Sequence, residues 1–257
     1  MTAIDFTDEE IERYARHIVL HEIGGPGQQR LRAARVLVIG AGGLGAPAIL
    51  YLAAAGVGTL GVVDDDTVSL SNLQRQVIHS SEEIGHPKTA SAAHAVSRLN
   101  PNVTVRRHET RLDMHNAPVI FEDYDLIVDG SDNFETRYLV NRVAADCGVP
   151  LVSAALGRWE GQLSVFHPAA GTPCYECIFP EAPEPGLVPP CSEAGIVGAL
   201  AGVMGAMQAL EAVKLLAEAG EPLLGRLLIY DALVADIRTI RLVRREDCPV
   251  CGDGVTA

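Results

Sequence analysis

The sequence predicts an α/β protein built on a doubly wound, mostly parallel sheet with an antiparallel extension at its C-terminal end. Three observations point there. Short apolar runs alternate with helical segments up to about residue 155, the pattern of parallel strands joined by crossover helices. A glycine loop, Gly40-Ala41-Gly42-Gly43-Leu44-Gly45, joins the first of these runs to a helix rich in small residues. Beyond about residue 157, apolar and polar side chains alternate instead, as in half-exposed strands.

The chain has 257 residues, 48% of them apolar and only 5% aromatic. That usage suits helices packed closely on a parallel sheet. One domain over 1–257 is expected. A nucleotide-binding part covers about 30–157, and a part over about 158–252 carries a crossover loop and two cysteine pairs. The net charge of −13 and the lack of a Lys/Arg run argue against nucleic acid and anionic membrane as partners. The start, MTAIDFTDEEIERYARH, does not read as a signal peptide. The longest apolar stretch, Ala194 to Met207, spans about 14 residues and falls short of a membrane span. A cytoplasmic, reducing location follows, where paired cysteines bind metal or do redox chemistry.

The elements follow in order. Residues 7–20 read as a helix, with Thr7 and Glu10 spaced for a capping box. Gly24-Gly25-Pro26-Gly27 reads as a break, and 28–34 as helix. Arg35 to Ile39 is a buried strand, Leu44 to Ala55 a helix, and Thr59 to Asp64 a strand ending in acid. Residues 67–87 are polar and irregular. A helix over 88–99 ends at Asn100-Pro101. Strands are expected at 103–105, 126–129 and 150–155, with a helix over 134–147. A half-exposed strand at 161–166 precedes a Pro/Glu-rich crossover loop over 180–190. A long apolar helix over about 195–218 and closing strands at 227–230 and 237–242 complete the chain.

The glycine loop fits G-x-G-x-x-G: it follows a strand, opens a helix, and has an acid, Asp64, about 20 residues beyond its start. The surrounding fold is therefore Rossmann-like. On this motif alone NAD fits as well as ATP. Asp64 can hold ribose hydroxyls, while Asp65 suits a solvated turn. Arg75 and Lys88 are cations placed to meet phosphate charge, within an unusually polar segment, Ser71-Asn72-Leu73-Gln74-Arg75. Asp129 and Asp132 follow the fourth strand, at the edge where open sheets bind ligands, and either could hold Mg²⁺. Asp132 or Asn133 could equally cap the next helix.

Cys174/Cys177 and Cys248/Cys251 form two Cys-x-x-Cys pairs. Four thiolates so spaced suit one structural tetrahedral zinc ion, with thioredoxin-like redox chemistry the alternative. Cys147 reads as a core thiol at a helix end. Cys191 stands in a loop before a helix, where a thiolate is favoured.

These motifs together resemble the MoeB/ThiF/HesA family, relatives of the ubiquitin-activating enzymes. The resemblance runs from Arg13 to Gly252. It is carried by Arg13-Tyr14-Ala15-Arg16-His17, the glycine loop with Tyr51 to Gly58, Asp64 to Gln76, Gly85 to Lys88, Asp129 to Asn133 and both cysteine pairs. It implies an ATP-dependent adenylyltransferase that activates the C-terminal glycine carboxylate of a ubiquitin-like sulfur-carrier protein ending in Gly-Gly. The carboxylate would become an acyl-adenylate with release of pyrophosphate, for sulfur transfer in molybdopterin-type or thiamine-type cofactor biosynthesis. By the same resemblance Gly40, Gly42, Gly43 and Gly45 form the nucleotide loop and Asp64 holds ribose. Asn72, Arg75 and Lys88 meet the phosphates, Asp132 holds Mg²⁺, and Ser71, Leu73, Gln74 and Asn133 complete the cofactor-binding set. Arg16 would reach a partner's ATP in a homodimer, and Cys191 would take the family's sulfur-chemistry position. Sulfur would come from a separate donor. An NAD-dependent oxidoreductase, a catalytically silent scaffold for a carrier and a tRNA-modifying relative are the other readings.

Overall fold

A computed structural model describes residues 6–184 and 195–253. Eight strands form one sheet: β1 Arg35–Ile39, β2 Thr59–Val63, β3 Thr104–His108, β4 Leu126–Asp129, β5 Leu151–Leu156, β6 Glu160–Phe166, β7 Arg226–Asp231 and β8 Asp236–Arg241. Their order is β3-β2-β1-β4-β5-β6-β7-β8. Strands β3 through β5 run parallel, and β6 to β8 are antiparallel. This is the expected fold class, with the sheet continuous across the two expected parts. Chain order reverses between β1 and β4, which opens a crevice at their C-terminal ends.

Among the described residues the α-helices are α1 Asp8–Ile18, α2 Gly24–Ala33, α3 Gly45–Ala55, α4 Lys88–Leu99, α5 Ala117–Phe121, α6 Phe134–Asp146, α7 Tyr175–Ile178 and α8 Gly198–Ala217. The expected capping box holds: the Glu10 N–H donates to Thr7 Oγ1 and the Thr7 N–H to Glu10 Oε2. Helix α2 begins earlier than expected, inside Gly24-Gly25-Pro26-Gly27. Pro26 is tolerated because first-turn amides have no intrahelical acceptor to lose. Strand β3 runs three residues further, and the short α5 was not foreseen.

Two apolar layers sandwich the sheet. One includes Val36, Val38, Leu60, Val62 and Val128 with side chains of α3, α4 and α8. The other includes Leu37, Ile39 and Ile127 with Phe121, Val140 and Val143 of α5 and α6. Each such side chain contributes roughly 1.5–3 kcal/mol through burial. Strand β6, expected to be half exposed, is buried at five of its seven positions because α8 packs on one face and Tyr175 of α7 meets Phe166 on the other. Helix α8 is 20 residues long with mean hydropathy 1.4, long and apolar enough to cross a membrane. The reading of a short apolar stretch is corrected in length, not in role. Here α8 packs on α2, α3 and strands β4 to β6 as a core helix. Gln208, fully buried on it, donates to the carbonyls of Asp129 and Val152 and ties α8 to the crevice end of the sheet.

Candidate functional site

The crevice holds a cavity of about 390 Å³. Its floor is the glycine loop. Gly40 has φ +83, a backbone state that glycine adopts freely, and its Cα lies against Gly130, the residue after β4. A Cβ on Gly45 would lie 1.8 Å from the Gly40 carbonyl oxygen, so the turn closes only without a side chain there. Gly45 is therefore a packing residue and does not line the cavity; Gly40, Gly42 and Gly43 do. Among the described residues, the Gly42 and Gly43 amides donate to no protein group. Free amides at the start of α3 make an anion-binding end.

Asp64 stands where β2 stops. Its Oδ2 accepts from the Ala41 N–H at 2.8 Å and its Oδ1 from the Asp66 N–H at 2.9 Å. Burial pushes its carboxyl above the ordinary value, against Lys88 and the two amides. Lys88, 5% exposed at the first turn of α4, has its Nζ 2.9 Å from Asp66 Oδ2. Asp65 is exposed, as expected of a solvated turn. Arg75 lines the cavity with its Nη1 donating to the Ser71 carbonyl.

Asp132 is exposed at the crevice. The cap belongs to its neighbour: Asn133 Oδ1 accepts from the Thr136 N–H at 2.9 Å. Asp129, by contrast, is 1% exposed, accepts from the Ser131 N–H and Ser153 Oγ, and does not reach the cavity. Of Asp129 and Asp132, Asp132 is thus the one whose carboxylate faces the cavity.

The segment before Arg75 does not line the cavity with its side chains. Asn72 Oδ1 accepts from the Ser69 N–H in a tight turn, and Gln74 lies against Gly198. Ser71 and Leu73 are likewise outside the lining. Arg16 is exposed on α1, also outside it. Cys191 lies outside the described residues. Several side chains line the cavity without having been singled out, among them Gln76, Arg111, Arg137 and Ile196. Gln76 was visible only as part of the polar segment, and its buried Oε1 has no partner among the described residues. Arg137, 8% exposed, donates from Nη2 to the Ser131 carbonyl. The helical spacing of α6 gave no sign that it faces inward.

A second cluster lies apart from the crevice. Cys174 precedes α7, Cys177 lies in it, and Cys248 and Cys251 follow β8. All four Sγ atoms are buried within 4.8 Å of one another, with contacts of 3.9, 3.5 and 3.4 Å. Tetrahedral Zn–S bonds of about 2.3 Å need sulfurs roughly 3.8 Å apart, so the donor set fits zinc. Burial pushes the Cys174 and Cys177 thiols up, so thiolates there need a cation. Cys147, at the end of α6, is half-buried and stands apart from this cluster.

The ThiF family profile matches residues 14–250. The chain belongs to the ThiF family. It is 53% identical over 245 residues to the SAMP-activating enzyme E1 of Haloferax volcanii, covering 95% of this chain and 90% of that protein. It is 49% identical over 255 residues to the sulfur carrier protein adenylyltransferase of Thermus thermophilus, covering 98% and 94%. Among solved structures, Escherichia coli MccB with MccA-N7isoASN superposes with a TM-score of 0.84 at 21% identity, over 98% of this chain and 77% of that one. That likeness speaks for the fold. The names of the ThiF-family relatives carry the enzyme class expected from the sequence.

Proposed function

We propose that this ThiF-family protein is an ATP-dependent adenylyltransferase acting on the C-terminal glycine carboxylate of a ubiquitin-like sulfur carrier. The observation that carries this reading is the convergence of free Gly42 and Gly43 amides, Arg75, Lys88 and Asp132 on one crevice. The relatives' names supply the carrier. In the reaction a carboxylate oxygen attacks the α-phosphorus, a C–O–P bond forms, and the P–O bond to pyrophosphate breaks with its electron pair leaving on oxygen. A carboxylate is a weak nucleophile, so positioning and a neutralised leaving group supply most of the acceleration.

Asp64 holds the ribose, the loop amides take phosphate oxygens, and Arg75 and Lys88 offset charge on the departing pyrophosphate. Asp132 would hold Mg²⁺, which when bound would offset phosphate charge; an exposed carboxylate at the crevice suits such a hard cation. The cysteine cluster would hold zinc and staple α7 to the chain after β8.

Arg16 completes a partner's site in a homodimer. Tyr51 on α3 and Val203 and Leu210 on α8, two helices packed side by side, expose apolar surface that such a dimer would cover. Cys191 serves the sulfur-transfer step, with sulfur from a separate donor in the cytoplasm. The test is intact-mass detection of a carrier–AMP adduct from ATP, for carriers of the molybdopterin, thiamine and tRNA-thiolation types. An adduct on one carrier supports the reading, and no adduct on any carrier from a folded, ATP-binding protein sinks it.

A further inference from the structure

Behind the glycine loop lies a buried chain of polar groups that the proposed reaction does not use. His79 Nε2 is 3.0 Å from the Ala41 carbonyl oxygen, and its Nδ1 is 2.7 Å from Ser91 Oγ. Ser91 Oγ is 2.7 Å from Glu83 Oε2, which also accepts from the Ser80 N–H and hydroxyl. His79 is 8% exposed and Ser91 2%.

A carbonyl only accepts, so the ring must carry its proton on Nε2. Burial lowers the basicity of this imidazole and outweighs the opposing bond to the Ala41 carbonyl; Lys88 acts with burial, Glu83 and Asp64 against it. A neutral ring has one N–H, and Ala41 takes it. The Ser91 hydroxyl then serves Nδ1 or Glu83. The Ala41 N–H, on the other side of the residue, is held by Asp64 at 2.8 Å. Ala41 is thus clamped from both directions.

The peptide after Ala41 is trans. In a trans peptide the carbonyl and the N–H point opposite ways. A carbonyl fixed on His79 therefore turns the Gly42 N–H away from His79. Gly42 lines the cavity, and its N–H has no partner among the described residues.

We propose that His79 is a positioning residue for phosphate binding: its Nε2–H fixes the Ala41 carbonyl and so aims the Gly42 N–H at a phosphate of the bound nucleotide. The inference rests on the nucleotide reading of the cavity. It predicts a loss confined to ligands that carry phosphate, since Asp64 keeps its own bond to Ala41 when His79 changes.

The experiment is calorimetry with ATP and with adenosine on the wild-type protein, His79→Leu and His79→Gln. Glutamine can present an N–H where Nε2 stands, and leucine cannot. His79→Leu should weaken ATP about tenfold and leave adenosine within about twofold, while His79→Gln stays within about threefold of wild type for ATP. Unchanged ATP affinity in His79→Leu, or equal losses for both ligands, overturns the proposal. A folded wild-type protein that binds no ATP overturns the nucleotide reading instead.

Should His79→Leu fail to fold, ¹⁵N spectra of the wild type decide. The proposal expects an Nε2–H tautomer and a Gly42 amide that shifts with ATP but not with adenosine. An Nδ1–H tautomer or an unmoved Gly42 amide overturns it.

Discussion

Gly198, the first residue of α8, lies with its Cα against Gln74: a Cβ there would stand 2.2 Å from the Gln74 carbonyl oxygen and 2.7 Å from its Oε1. Alongside, a Cβ on Gly43 would meet Ala201 of α8 at 3.3 Å and the Arg75 stem at 3.6 Å. The polar segment, the glycine loop and the helix after the crossover loop therefore interlock at hydrogen-sized clearances. Gly198→Ala should destabilise by about 1–3 kcal/mol in thermal unfolding and weaken ATP binding, because the backbone carrying Arg75 must move. Gly202→Ala on the same helix meets nothing within 4 Å and should be stabilising by roughly 0.5–1 kcal/mol.

The cysteine cluster should contain one zinc per chain by elemental analysis. Cys248→Ser, or removal of metal by a strong chelator, should lower the unfolding midpoint by well over 10 °C, because the site links segments 74 residues apart in sequence. A metal-free protein with an unchanged midpoint would speak against structural zinc.

Glu176, between the first two cysteines, is 1% exposed and accepts from Arg142 Nε and Nη2 and from Asn141 Nδ2. Both donors lie on α6, whose first turn carries the crevice. Arg142→Ala should cost about 2 kcal/mol by leaving the carboxylate underpaired, reduced from the fully buried case because Arg142 is half exposed. Denaturant titration checks this, with zinc content expected to be unchanged.

Arg35, at the start of β1, donates from its main-chain N–H, Nε and Nη2 to Asp125, just before β4. Burial pushes the Asp125 carboxyl up, but the Arg35 donors outweigh it and hold the carboxyl below the usual range. Its folded pKa is thus lower than its unfolded one. The stabilisation is fully present above the unfolded value of about 4 and is lost as pH falls through the folded value. The pair is solvent-accessible, so the effect is under about 1 kcal/mol. The stability gap between wild type and Asp125→Asn should be constant from pH 7 to 5 and shrink towards pH 3.

The sheet was legible because parallel strands buried on both faces leave continuous apolar runs, as in Val36 to Ile39 and Leu126 to Val128. Helix starts were legible where a side chain makes the cap, at Thr7 and Asn133. Pro26 misled because first-turn positions do not need the amide that proline lacks. Of the candidate site, Gly40, Gly42, Gly43, Asp64, Arg75, Lys88 and Asp132 were legible from motif spacing. His79 and Arg137 were not, since each acts through a main-chain carbonyl brought close only by the fold. In the polar segment 71–74, Asn72 caps a turn and Gln74 packs on a helix, contacts that only the fold reveals.

The central claim, carboxylate activation in the Asp132 crevice, is tested most directly by exchange of labelled pyrophosphate into ATP. The assay takes the wild type and Asp132→Ala, each with and without a sulfur carrier ending in Gly-Gly. The account predicts exchange that requires the carrier's terminal carboxylate and falls at least about a hundredfold in Asp132→Ala, the scale of losing a charge-stabilising group. Exchange that proceeds without carrier, or that survives in Asp132→Ala, would contradict it.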